Sequence, residues 1–158
     1  MVTFYTDVKE IKFTNKQNID WEAVENYVKT FIGKKYIVKE TGDTIIIGSD
    51  FPNEFAESKY TKKLKGAYAK AKANLSQNIG ELIEYAQNRR WVENKNDKHR
   101  KNASGGWYRY DVGFTIPVKH EGKISINKYL ATAVVRIKKN KLYLYDIINI
   151  KKEASTPL

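Results

Sequence analysis

The residues best able to do chemistry cluster in one stretch of the 158-residue chain, Lys98–Phe114, which reads KHRKNASGGWYRYDVGF. It sets His99, one of two histidines, beside Lys98, Arg100 and Lys101. The loop Asn102-Ala103-Ser104-Gly105-Gly106 then feeds a strand pattern carrying Trp107, Tyr108, Arg109 and Tyr110. Glycines allow the backbone to turn sharply and to approach a ligand closely. An imidazole, several cations and an aromatic ring within mutual reach are what metal-free phosphodiester chemistry requires. An imidazole titrating near pH ~6.5 can give or take a proton. Lysine and arginine can stabilise the charge that develops on a phosphorane. The competing reading makes His99 a solvated loop residue in a generally basic protein.

Composition narrows the choices. With 29 Lys and Arg against 18 Asp and Glu, the chain carries a formal charge of +11. Basic residues neutralise phosphates and release condensed counterions, so such a chain favours polyanions. Nucleic acid leads, an acidic membrane surface comes second, and an acidic protein partner third. There is no cysteine, hence no disulfide, thiolate nucleophile or Cys-type zinc site. No apolar run approaches the ~20 residues of a membrane span. The N-terminus Met1–Asp7 lacks the basic and apolar regions of a signal peptide. These features fit action in the cytoplasm, including that of a cell into which the protein has been delivered. Phosphate-binding and dinucleotide fingerprints, HExxH, a G-x-S-x-G elbow and an acidic cluster for two metals are all missing, so no cofactor or metal is expected.

The elements that must position these residues follow from periodicity. Val2–Phe13 alternates weakly, as an edge strand or ordered arm. Asp20 or Asn18 can cap a helix whose stripe is Trp21, Val24, Val28, Phe31 and Ile32 and which stops at Gly33. Tyr36–Glu40 and Thr44–Gly48 flank Thr41-Gly42-Asp43 as a hairpin. Residues 49–58 read as a loop. Lys59–Lys72 carries six lysines and no acid, a helix that is either a solvated face or the bed of a polyanion. Ser76 or Asn74 can cap the next helix, with Ile79, Leu82, Ile83 and Ala86 on its buried side. Arg89–Val92 starts a strand or extended connection. Strict alternation then marks three successive strands: Tyr108–Val118, Lys128–Lys138 and Leu142–Ile150. Tyr110, Val112 and Phe114 share one face; Arg109, Asp111, Thr115, Thr132 and Arg136 lie on a more polar one. If open, that polar face is a concave basic floor; if covered, Arg109 and Asp111 pair internally. Early helices and a late antiparallel meander make an α+β fold in a single domain, 1–158.

Four stretches carry a family resemblance: YIVKETGDTIIIGSD, YTKKLKGAYAKAKANLSQNIGELIEYA, ENKNDKHRKNASGGWYRYDVGFTIPV and YLYDIINIKKEASTPL. From about Tyr36 to Leu158 the chain resembles domains of phage and mobile-element polyproteins and polymorphic toxins. These are similar to the Barnase–EndoU–colicin–RelE (BECR) nucleases. The resemblance makes 36–158 a BECR-like core preceded by an arm and helix in 1–35. It implies metal-independent cleavage of RNA to a cyclic phosphate, with inhibition by a cognate acidic immunity protein. It transfers no fixed catalytic set.

The assignments that follow are these. His99 acts as acid or base, and Lys98, Arg109 and Arg136 hold the scissile phosphate. Thr132 and Tyr143 help orient it. Trp107 or Tyr108 stacks a base. Lys62, Lys63, Lys65, Lys70, Arg89, Arg90 and Arg100 bind flanking phosphates. Two other classes compete: a non-catalytic nucleic-acid-binding module, and a protein-interaction domain of a phage particle.

Overall fold

A computed structural model describes residues 2–14, 18–95 and 103–158. The helix expected after the N-terminal arm is α1 (Trp21–Lys29), where the Asp20 carboxylate accepts from the Ala23 N–H at 3.1 Å. Val24 and Val28 are its buried stripe, while Ile32 beyond its end is exposed. The hairpin is β2 (Lys35–Ile37) and β3 (Thr44–Ile46), paired antiparallel.

The segment expected to be a loop contains α2 (Phe51–Glu57). Pro52 falls in its first turn, where a missing N–H costs nothing, and Phe51, Phe55 and Ala56 are buried. Burial of that apolar side outweighs the turn-like composition. The lysine-rich stretch is two helices, α3 (Lys59–Lys63) and α4 (Gly66–Leu75). Leu64 and Lys65 are extended and Gly66 has φ +59°, a left-handed conformation that breaks the run. The second half of α4 is not solvated but buried all round: Ala71, Lys72, Ala73, Asn74 and Leu75 are all buried. Asn74 caps nothing. Its amide accepts from the Lys12 and Phe13 N–H groups at 2.8 and 3.0 Å and so ties down the N-terminal arm. A 3₁₀ turn over Ser76–Asn78 leads into α5 (Ile79–Glu84).

The C-terminal meander is present and longer than its periodicity implied. It consists of β5 (Trp107–His120), β6 (Lys123–Lys138) and β7 (Lys141–Pro157), antiparallel in sequence. The whole sheet is mixed, however. Its order is β1-β5-β6-β7-β3-β2, with β1 (Thr6–Asp7) parallel to β5 and β3 parallel to β7. β4 (Gln87–Val92) pairs antiparallel with the opening of β5. Tyr110, Val112, Phe114 and Ile116 face the core with Tyr129, Ala131, Ala133 and Val135, and the Phe114 and Tyr129 rings stack at 5.2 Å. α4 and α5 meet β5, and α2 runs against β7. The fold is α+β.

Gly80 offers a test of this packing. A Cβ there would lie 2.7 Å from Tyr36 Cε1, so α5 needs a glycine where β2 crosses it. Gly→Ala in a helix ordinarily stabilises by about 0.5–1 kcal/mol. Gly80→Ala is expected instead to destabilise by about 1–3 kcal/mol through overpacking. Thermal denaturation decides the sign.

Candidate functional site

Alternation along β5 and β6 places Arg109, Asp111, Thr132, Val134 and Arg136 on the side away from the aromatic core. β7 joins them through a bulge: Leu144 pairs with Val135 and Asp146 with Val134, which leaves Tyr145 as an extra residue. Bulges bend a strand and re-aim its side chains.

Over this face lies a cleft of about 720 Å³. Arg109, Trp107, Tyr145 and Asp146 line it from the sheet, Glu54 to Tyr60 from α2 and α3, and Val92 to Lys95 from the chain after β4. Trp107 and Tyr145 meet edge to face, 5.0 Å between centroids. The Tyr145 hydroxyl bonds Glu54, and burial together with that carboxylate holds its pKa far above the usual phenol range. Arg109 is half-buried. Its Nε is enclosed without a hydrogen-bond partner, and no carboxylate among the described residues closes on its guanidinium.

At the bottom of the cleft is a buried ion pair. Lys72 is 0% exposed and Asp146 3%, and Lys72 Nζ donates to Asp146 Oδ1 at 2.7 Å. Nζ also donates to Thr61 Oγ1 at 2.6 Å and sits 4.7 Å from the Phe55 ring centroid. Asp146 Oδ1 accepts a second bond from the Ile147 N–H at 2.8 Å. Desolvation pushes the Asp146 carboxyl up to about 6, with the Lys72 charge pulling the other way. Desolvation lowers the Lys72 pKa, opposed by the Asp146 charge.

The remaining assigned residues sort by what they touch. Arg136 does not share the cleft with Arg109. Its Nη2 donates to Asp50 Oδ1 at 2.8 Å, its Nη1 to the other oxygen, and its guanidinium lies 5.2 Å from the Tyr143 ring centroid. Arg136 and Tyr143 therefore hold β6 and β7 to the start of α2. Thr132 is buried beside Asp111, away from Arg109's guanidinium but on the same face. Asp111 does not pair with Arg109: it takes Arg90 at 3.0 Å and Asn88 Nδ2 at 3.0 Å. Arg89 forks onto Asp43, which also accepts from Tyr110 at 2.7 Å, and its guanidinium lies 4.4 Å from the Tyr108 centroid. Arg89, Arg90 and Tyr108 are thus braces between β4, β5 and the β2–β3 turn. Thr115 bonds Asp7 at 2.6 Å. The face is neither the concave basic floor nor the Arg109–Asp111 pair expected from alternation. Among the described residues Arg89, Arg90 and Arg136 each pair with a carboxylate, and Arg109 does not.

Lys62, Lys65 and Lys70 line a separate groove of about 770 Å³, together with Trp21, Leu64 and Ala67 and with no carboxylate among the described residues. Lys63 is exposed next to it. The assignments to Lys98, His99 and Arg100 lie outside the described residues. No described helix is long and apolar enough to cross a membrane. The chain matches no protein-family model, no curated protein and no solved structure.

The buried pair makes a pH prediction. Asp146 has a folded pKa above the ordinary value of ~3.9. Its contribution to stability is therefore present below about pH 4 and is lost as pH rises through about 6. Asp146→Ala leaves a buried ammonium unpaired and is expected to cost about 3–5 kcal/mol. Lys72→Met with Asp146→Leu is expected to be neutral or stabilising by about 1–4 kcal/mol. In urea melts the gap between double variant and wild type should widen from acid to neutral pH.

Proposed function

We propose that the protein is a metal-independent endoribonuclease of the toxin type, acting on RNA in the Arg109 cleft. The observation that carries this is the state of Arg109. Arg89, Arg90 and Arg136 each hold a carboxylate, whereas Arg109 is half-buried, lines a cleft together with Trp107 and Tyr145, and is paired with no carboxylate among the described residues. A desolvated guanidinium left open in a cleft is suited to a phosphate, which it can bind with two parallel hydrogen bonds. Trp107 and Tyr145 offer surfaces for a base. Lys95 lines the cleft and the Ala103 carbonyl accepts from Asn94 at 3.1 Å; Lys98, His99 and Arg100 fall between these two residues in sequence. Early helices before an antiparallel meander, here part of a mixed sheet, are the element order that the resemblance to BECR nucleases implies.

A second reading, RNA binding without cleavage, is favoured by the lysine groove. Among the described residues three cations and no carboxylate line that groove, whereas Glu54, Glu57 and Glu93 stand in the Arg109 cleft. Both readings share the groove as the surface that holds flanking phosphates.

Incubation with single-stranded RNA and with tRNA in excess chelator separates them. Cleavage is expected, lost by about 10²–10³-fold in Arg109→Ala, as for removal of a group that stabilises transition-state charge. His99→Ala should fall by about 10²–10⁴-fold if it moves a proton. Intact RNA at high enzyme concentration leaves only the binding reading. Alanine at Lys62, Lys65 and Lys70 together should weaken RNA binding whatever the sequence and lower the salt slope of log K by about 2.

A further inference from the structure

We propose that Asp146 is the proton acceptor of the cleft, taking the proton of the RNA 2′-hydroxyl, with Lys72 as its buried counter-charge. This rests on the ribonuclease reading above.

Position comes first. Asp146 and Arg109 line the same cleft, from neighbouring parts of one sheet face. The bulge at Tyr145 turns both it and Asp146 toward that cleft, in a strand where Leu144 and Ile147 on either side are core residues. Without the extra residue, alternation would carry one of the pair into the core.

Energetics come second. Taking a lysine and an aspartate out of water costs several kcal/mol per ion, and apolar residues of similar size often serve stability as well or better. Lys72 lies in a stretch of α4 where Ala69, Ala71, Ala73 and Leu75 are also buried, and an apolar side chain there would be ordinary. An aspartate at the floor of a cleft, backed by a lysine in the interior, is where proton transfer would use such a pair.

The surroundings come third. Around Asp146 stand Lys72 from α4, Glu54 from α2, Ser58 from the α2–α3 junction, Tyr60 from α3, Tyr145 from its own strand and Arg109 from β5. Ser58 and the Ile147 N–H bond the carboxyl, and Glu54 takes the Tyr145 hydroxyl. Lys72 is the ion-pair partner of Asp146, so the carboxylate stays ionised in spite of its burial. A base titrating just below neutrality combines a populated ionised form with useful basicity, and desolvation sets Asp146 there.

The step balances without a co-reactant. The 2′-O–H proton passes to the Asp146 carboxylate as the 2′-oxygen bonds to phosphorus. The P–O5′ bond breaks, and the 5′-oxygen takes a proton from solvent while Asp146 returns its own. The products are a 2′,3′-cyclic phosphate and a 5′-hydroxyl. Arg109 holds the non-bridging oxygens throughout.

The test uses the whole chain and single-stranded RNA in chelator. Wild type, Asp146→Asn, Lys72→Met and Lys72→Met/Asp146→Asn are compared in kcat against pH and in RNA affinity. Asp146→Asn is expected to lose about 10²-fold or more in kcat with affinity unchanged. Lys72→Met removes the charge that lowers the Asp146 pKa, so the acid limb, near pH 6 in the wild type, should move to higher pH. Should Asp146→Asn prove unfolded by circular dichroism, the double variant, free of any uncompensated ammonium, provides the comparison. Either variant cleaving at the wild-type rate with the same acid limb overturns the role of Asp146 and leaves the ribonuclease reading standing. A wild-type protein that binds RNA and never cuts it overturns both.

Discussion

The contact between Lys72 and Asp146 ties α4 to β7 through the protein interior. It is the most demanding interaction in the molecule, because each charge is tolerable only while the other is within reach. Several features gather around it. Thr61 accepts from Lys72 and donates to the Phe55 carbonyl at 2.7 Å, which joins α2, α3 and α4. The Tyr60 hydroxyl accepts from the Ile150 N–H at 2.8 Å and fixes α3 against β7. The wall formed by α2 and α3 is thereby set over the meander, and the cleft is the space left between them.

The arginines divide along the same lines. A neighbouring carboxylate occupies Arg89, Arg90 and Arg136, and each brace joins parts of the chain distant in sequence. Arg109 alone among these four faces a cleft without such a partner. A strongly basic composition had pointed to a broad cationic surface. Among the described residues three arginines instead brace the sheet and Arg109 lines the cleft, while exposed lysines are spread over α3, the approach to α4 and the turns and ends of β5–β7.

Much of the fold could be read from periodicity, because the C-terminal strands alternate without interruption. Tyr110, Val112 and Phe114 are buried as their period of two requires. The hairpin at Thr41–Asp43 and the Asp20 cap likewise follow local rules. What failed was tertiary. Helix α2 looks like a loop because only burial of Phe51 and Phe55 makes it a helix. The parallel pairings of β1 and β3 join segments separated by about a hundred residues, and no local pattern encodes them. Within the site, Arg109 and Trp107 were legible, being on the polar phase of a strand. The ion pair of Arg136 is not legible because its partner, Asp50, belongs to the segment whose composition reads as a loop. Lys72 was counted as one more surface lysine. A signal existed, since Asp146 stands alone among Tyr145, Ile147 and Ile148 and a carboxylate in a buried strand calls for a cation. Sequence alone did not say which of 29 Lys and Arg would supply it.

The most direct measurement is ³¹P NMR of a short RNA incubated with the purified protein and excess chelator. A metal-free ribonuclease acting through Arg109 gives a 2′,3′-cyclic phosphate resonance that grows with time and is absent with Arg109→Ala. A spectrum unchanged with the wild-type protein, or a cyclic phosphate that forms as fast with Arg109→Ala, would contradict the assignment of this cleft as a site of RNA cleavage.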